Sequence, residues 1–170
     1  MNSRNSLVGF NPRTLLAAVF LVCLVIFGFA LYLQHIEVIE PCPMCILQRY
    51  SFALIALIAL VGAIHDPGLI GARIYGVLVL ASALTGAGIA SRHSWLQHFP
   101  SPSYSCGADL EYLLDTFPLA KALPAIFSGT GECSEVKWRM LGLSIPEWAL
   151  IWFVIFAIVA VVVIVRARRA

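Results

Sequence analysis

Cys42-Pro43-Met44-Cys45 places two thiols three positions apart, and Arg49 follows four positions after Cys45. A pair with this spacing can close a strained, easily reduced disulfide or supply half of a metal site. The segment lies between one long apolar run and the next, so Cys45 falls where a membrane helix should begin. Backbone N–H groups and the helix dipole at that end favour negative charge, so Cys45 should ionise more readily than an ordinary thiol. Arg49, one helical turn on, shares its face. A permanent cation there favours a thiolate, or a reduced anionic acceptor beside it. The plainer alternative for Arg49 is an interfacial arginine that snorkels to headgroups. For the cysteines it is a static disulfide, but so short a loop gains little from chain-entropy stabilisation.

Three more cysteines complete the set: Cys23, Cys106 and Cys133. An odd count leaves one spare, and Cys23, in the middle of an apolar run, reads as a small buried hydrophobe. A Cys106–Cys133 bridge would close a loop of about 28 residues and could stabilise it by roughly 3 kcal/mol. Taken alone, that pair is as readily structural as redox-active. On the same side of a membrane as the CxxC it reads as a second redox pair, because two pairs facing one compartment can exchange electrons. A zinc site built from all four is disfavoured, since such sites usually combine two closely spaced pairs and only one is present. No metal is expected. His93 is a weaker candidate, an interfacial polar residue that needs no function.

The elements that must position these residues follow from hydropathy. Of 170 residues, 61% are hydrophobic and 12% charged, where a soluble domain would be nearer half apolar and a quarter charged. The chain reads as one integral membrane domain over 1–170, and a net charge of +2 gives no reason to expect a nucleic-acid partner. Four apolar spans are expected at about 14–34, 46–64, 71–90 and 148–165. The first is longer than a signal-peptide core and no small-x-small cleavage site follows it, so it reads as an uncleaved helix. The third is rich in Gly, Ala, Ser and Thr, which lets neighbouring helices approach closely.

Arg4, Arg13, Arg73, Arg166, Arg168 and Arg169 fall in short segments on one side, which puts both termini in the cytoplasm. The loops at about 35–45 and 91–147 then face outward with Cys42, Cys45, Cys106 and Cys133. In a bacterium that is the periplasm, where disulfides persist. His93 is expected just after the third span, at the start of the long loop. Within that loop Leu110, Leu113, Leu114 and Phe117 mark one apolar face, with Asp109, Glu111 and Asp115 mostly opposite. A short helix on the membrane surface fits.

The combination of four spans, Cys42-Pro43-Met44-Cys45-Ile46-Leu47-Gln48-Arg49, His93 with Gln97-His98-Phe99-Pro100-Ser101-Pro102 ahead of Cys106, and Gly131-Glu132-Cys133 before the last span resembles the disulfide bond formation protein B (DsbB) family over nearly the whole chain. The resemblance implies an all-α transmembrane four-helix bundle of the bacterial inner membrane. It implies an oxidase that regenerates a periplasmic thioredoxin-like dithiol oxidase, DsbA, and delivers the electrons to ubiquinone or menaquinone. It implies that the partner attacks a Cys106–Cys133 disulfide at Cys106, that Cys133 then attacks Cys42 of a Cys42–Cys45 pair, and that Cys45 leaves as a thiolate facing the quinone. Arg49 matches the family's quinone-site arginine and His93 its histidine near the ring. Gln48 departs from the pattern, standing where some members carry Glu, and Cys23 is an extra thiol too deep to join the exchange. Three alternatives remain beside this reading: a paralogous oxidase dedicated to one partner, a membrane scaffold with two structural disulfides, and a metal-binding membrane protein.

Overall fold

Proline opens the first two helices, and a capping carboxylate opens the last. The computed structural model describes residues 11–65, 68–99 and 131–169. Helix α1, Pro12–His35, starts with proline in its first turn, where the missing N–H costs no hydrogen bond. Helix α2 spans Pro43–His65, so it begins three residues before the expected 46 and takes Cys45 into its first turn. Helix α3 runs over Leu69–His98. A short helix, α4, covers Gly131–Ser134. A two-residue hairpin follows, β1 Arg139–Met140 paired antiparallel with β2 Leu143–Ser144. Its turn residues Leu141 and Gly142 both have positive φ, 54° and 84°, as two-residue hairpin turns of the right twist require. Helix α5, Ile145–Arg169, completes the chain.

Two further helix ends depart from the expected spans for identifiable reasons. Hydropathy put the third span's end at 90, because Arg92, His93, Ser94, Gln97 and His98 are polar. The backbone nevertheless stays helical to His98, placing His93 inside the helix and not in a loop after it. At about 1.5 Å per residue α3 is roughly 45 Å long, well beyond the ~30 Å hydrocarbon thickness, so its polar end can stand outside the bilayer. The fourth span was expected from 148 and begins at Ile145. Glu147 Oε2 accepts hydrogen bonds from Ser144 N at 2.7 Å and Ser144 Oγ at 3.0 Å, the carboxylate half of a capping box. The surface helix expected near Leu110–Phe117, and Cys106, lie outside the described residues.

The result is an all-α four-helix bundle, the hairpin apart, whose four long helices are all long and apolar enough to cross a membrane. Large apolar side chains such as Leu21, Val25, Leu57, Ile74 and Ile158 are exposed on its outside, as lipid contact allows. Inside, α1 packs on α2, α2 on α3 and α3 most extensively on α5, while α1 and α5 barely meet. Small residues permit the tight α3–α5 contact: a Cβ at Gly86 would collide with the Phe153 ring. Phe153 in turn stacks on Phe52, centroids 4.1 Å apart. Cys23 is buried in this core with Leu16, Val19 and Ile55.

Candidate functional site

Cys42 sits one residue ahead of α2 and caps it. Its carbonyl accepts the Ile46 N–H at 3.1 Å, and its sulfur accepts the Cys45 N–H at 3.4 Å. A sulfur thus takes the place of the usual capping oxygen, with proline in the favoured first position. This geometry folds the CxxC back on itself, and Cys42 Sγ donates to Cys45 Sγ at 3.0 Å. Both sulfurs are thiols here.

Cys133, delivered by α4 and fully buried, hydrogen-bonds through its side chain to Cys42. Cys42 therefore stands between two sulfur neighbours, with Met44 and Leu96 closing the apolar nest around them. The Cys133 contact lowers the Cys42 pKa, but the bond to Cys45, burial and the charge of Cys45 outweigh it and push the thiol above the ordinary range. The chain just past Cys133 is held to the loop before Cys42: Lys137 Nζ donates to the Glu40 carbonyl at 3.3 Å.

His93 comes to the pair from α3. It is 1% exposed, with Nε2 3.6 Å from Cys42 Sγ and Nδ1 3.1 Å from Gln48 Nε2. Its ring also bonds the Cys133 backbone. Gln48 is as deeply buried, 3% exposed, so each of these polar groups satisfies the other in an apolar setting. Arg49 turns toward α1, donating from Nη1 to Gln34 Oε1 and from Nη2 to the Ala30 carbonyl at 3.1 Å. Its charge is thereby fixed over the C-terminal turns of α1, where carbonyls favour a cation.

A cavity of about 320 Å³ opens beside these residues, with Cys42, Cys45, Gln48, Arg49, His93 and Gln97 among its lining. Its walls are apolar: Val25, Phe29 and Leu33 from α1, Phe52 from α2, Ala149 and Trp152 from α5. It lies along the seam where α1 and α5 scarcely touch. The hairpin roofs it, with Trp138 edge-on to Phe29 at 5.6 Å and Trp148 Nε1 bonded to the Met140 carbonyl at 3.1 Å. One polar atom here is unsatisfied among the described residues: Gln97 Oε1, buried and without a hydrogen-bond partner. A buried acceptor left unpaired costs about 1–3 kcal/mol, and a ligand that donates a hydrogen bond would relieve it. An apolar cavity of this size with a few converging polar groups suits a small, largely apolar ligand that carries a few polar atoms.

Of the six residues singled out in the sequence, the structure gathers Cys42, Cys45, Cys133 and His93 into one cluster and sets Arg49 on the adjoining cavity. Cys106 lies outside the described residues. Sequence reasoning noted Gln48 only as a departure from the family pattern, without its contact to His93, and quoted Gln97 only as a motif letter. The i, i+4 spacing of His93 and Gln97 could have put both on one face had the helix been extended past 90.

A family model described as disulfide bond formation protein DsbB matches residues 12–163. Disulfide bond formation protein B of Aromatoleum aromaticum is 50% identical over 159 residues, covering 94% of this chain and 96% of that protein. Its namesake from Azoarcus sp. is 50% identical over 150 residues, 88% of this chain and 90% of the relative. Disulfide bond formation protein B 1 of Pseudomonas aeruginosa is 44% identical over 147 residues, 86% and 90% of the two chains.

Proposed function

The chain belongs to the DsbB family of disulfide bond formation proteins, and from that premise we propose that it is a dithiol:quinone oxidoreductase that regenerates a periplasmic DsbA-like oxidase. The coarser role, a multi-pass membrane oxidoreductase of disulfide formation, comes with the family and the four membrane-length helices. The finer reaction is carried chiefly by the position of Cys42 between Cys45 and Cys133.

The exchange runs through sulfur alone until its last step. A thiolate of the reduced partner attacks Cys106 of a Cys106–Cys133 disulfide, and Cys133 leaves. Cys133 attacks Cys42, breaking a Cys42–Cys45 disulfide and forming Cys42–Cys133, with Cys45 leaving as a thiolate. The partner's second thiol displaces Cys106 and departs oxidised. Cys106 then attacks Cys133, which restores the loop disulfide and leaves Cys42 and Cys45 reduced. A membrane quinone, ubiquinone or menaquinone, supplies the two-electron sink that returns Cys42–Cys45 to the disulfide, taking up two protons.

This chain's residues serve that last step in distinct ways. The α2 N-terminus supports negative charge on Cys45. Arg49 places a fixed cation on the cavity, favouring the acceptor's reduced, more anionic state. His93, held by Gln48, is within reach of both the sulfur and the cavity. Gln97 Oε1 accepts a hydrogen bond from a quinol hydroxyl, which the oxidised ring cannot offer. We place both termini in the cytoplasm and all four cysteines of the exchange at the periplasmic face.

Anaerobic quinone reduction by a reduced thioredoxin-like periplasmic protein tests the reading. Wild type should turn over, and Cys45→Ser and Cys106→Ser should each abolish turnover. Folded wild-type protein that reduces no quinone with any dithiol partner would leave a membrane scaffold with structural disulfides as the better account.

A further inference from the structure

Spacing in the sequence argues against an all-cysteine zinc site, but folding adds a ligand that spacing does not reveal. Cys42 Sγ, Cys45 Sγ and a ring nitrogen of His93 all lie within 4.8 Å of one another. The two measured separations along the set are 3.0 Å between the sulfurs and 3.6 Å from Cys42 Sγ to His93 Nε2. A tetrahedral Zn²⁺ with bonds of about 2.3 Å to sulfur and about 2.0–2.1 Å to nitrogen holds its ligand atoms roughly 3.4–3.8 Å apart. The sulfur–nitrogen spacing already matches, and the two sulfurs would have to move apart by about 0.7 Å to hold the ion. Cys133 hydrogen-bonds to Cys42 through its side chain but lies beside this cluster, whose members within 4.8 Å of one another are Cys42, Cys45 and His93.

We infer that the reduced protein captures a Zn²⁺ ion between Cys42, Cys45 and His93, and that this binding is lost when Cys42 and Cys45 join as a disulfide. Two thiolates and an imidazole are a donor set zinc favours over the oxygen-seeking cations. The surroundings match as well. A metal-bound histidine usually donates its other ring N–H to a neighbouring acceptor, which fixes its orientation. Gln48 stands at Nδ1 of His93 at 3.1 Å, and a half-turn of its amide presents Oε1 to an Nδ1 proton. Burial of Cys42, Gln48 and His93, each under 5% exposed, keeps water from competing for the ligands.

Oxidation removes the site, because a disulfide sulfur has no thiolate to offer. Zinc would therefore act only on the two-electron-reduced protein and hold it there by occupying both sulfurs. The binding stands on geometry alone; the expected inhibition of turnover rests on the oxidoreductase reading given above.

The test uses quinone-free, full-length protein in detergent, reduced under anaerobic conditions and titrated with Zn²⁺ against a chromophoric chelator. Co²⁺ serves as a spectroscopic stand-in that reports tetrahedral thiolate ligation. Reduced wild type should bind one ion per chain, and the same protein oxidised to the Cys42–Cys45 disulfide should bind none. The oxidised arm is the same polypeptide, so a loss of binding there cannot come from a substitution that fails to fold. Gln48→Leu should weaken binding about 10–100-fold, the usual cost of removing a group that orients a metal-bound histidine. His93→Phe should weaken it further and abolish the tetrahedral cobalt spectrum. Equal binding by reduced and oxidised protein, or undiminished binding by His93→Phe, would overturn the inference. Zinc binding by a protein that, assayed free of zinc, turns over no quinone would support it and sink the quinone reading.

Discussion

Nη2 of Arg49 donates to the carbonyl oxygen of Ala30 at 3.1 Å, while Nη1 of the same guanidinium reaches Gln34. The cation beside the CxxC is therefore moored to a different helix from the one that carries it. Lysine has a single charged nitrogen on a flexible stem and cannot reproduce this fork. Arg49→Lys should raise the quinone KM about tenfold while leaving disulfide exchange with the thiol partner intact. Steady-state quinone reduction, set beside single-turnover exchange under quinone-free conditions, separates the two.

The raised pKa of Cys42 has a pH signature. In the reduced protein its proton is kept where a free thiol would lose it, above about pH 8.5. Iodoacetamide should label Cys42 slowly at neutral pH, with the rate rising only well above the ordinary thiol range. Since the folded value lies above the unfolded one, the associated stability is complete below about pH 8.5 and is lost as pH climbs through the folded value. Thermal unfolding of reduced protein should fall over that alkaline window relative to an oxidised control. Peptide mass spectrometry checks the labelling, and equal alkaline sensitivity of the two forms would refute the linkage.

Gln97 offers a test of the unsatisfied acceptor. Its carbonyl oxygen makes no hydrogen bond among the described residues, so Gln97→Leu should leave stability unchanged or slightly raised. Quinol binding should weaken about tenfold, the scale of one lost hydrogen bond at about 1.4 kcal/mol. Product inhibition by added quinol, compared with the quinone KM, measures the difference. A variant with unaltered quinol inhibition would show that the oxygen faces no ligand.

Two glycines of α3 make a matched pair. A Cβ at Gly86 would strike Phe153, whereas one at Gly88 meets nothing within 4 Å. Gly86→Ala should cost about 1–3 kcal/mol from overpacking, while Gly88→Ala should be neutral or stabilise by up to about 1 kcal/mol through helix propensity. Thermal melts in one detergent rank the three proteins.

Hydropathy made the four spans readable, since an unbroken apolar run of bilayer length has few other structures open to it. Placing Cys45 at the start of a helix was readable too, because proline and a polar first turn mark such ends. The polar extension of α3 was not, because hydropathy reports the preferred surroundings of side chains, and a helix that leaves the membrane keeps its backbone hydrogen bonds. The capping pair Ser144 and Glu147 was present in the sequence, yet the apolar run from Trp148 drew the boundary past it. The approach of His93 to Cys42, across 51 positions, is tertiary. It depends on α3 packing beside α2, which neither segment encodes alone. The resemblance supplied that pairing of motifs, but not the Gln48–His93 contact or the unsatisfied oxygen of Gln97.

The loose seam between α1 and α5 has a kinetic meaning. A guest that enters there arrives sideways from the hydrocarbon, through a slot walled in part by Val25, which is 72% exposed. Its encounter rate depends on how many guest molecules share the lipid or detergent phase and not on how many share the flask. Diluting the micelles with empty detergent at fixed total quinone would slow the protein as surely as withdrawing substrate. Any affinity expressed per litre of buffer would drift with the amount of amphiphile, whereas one expressed as a mole fraction in the apolar phase would hold constant.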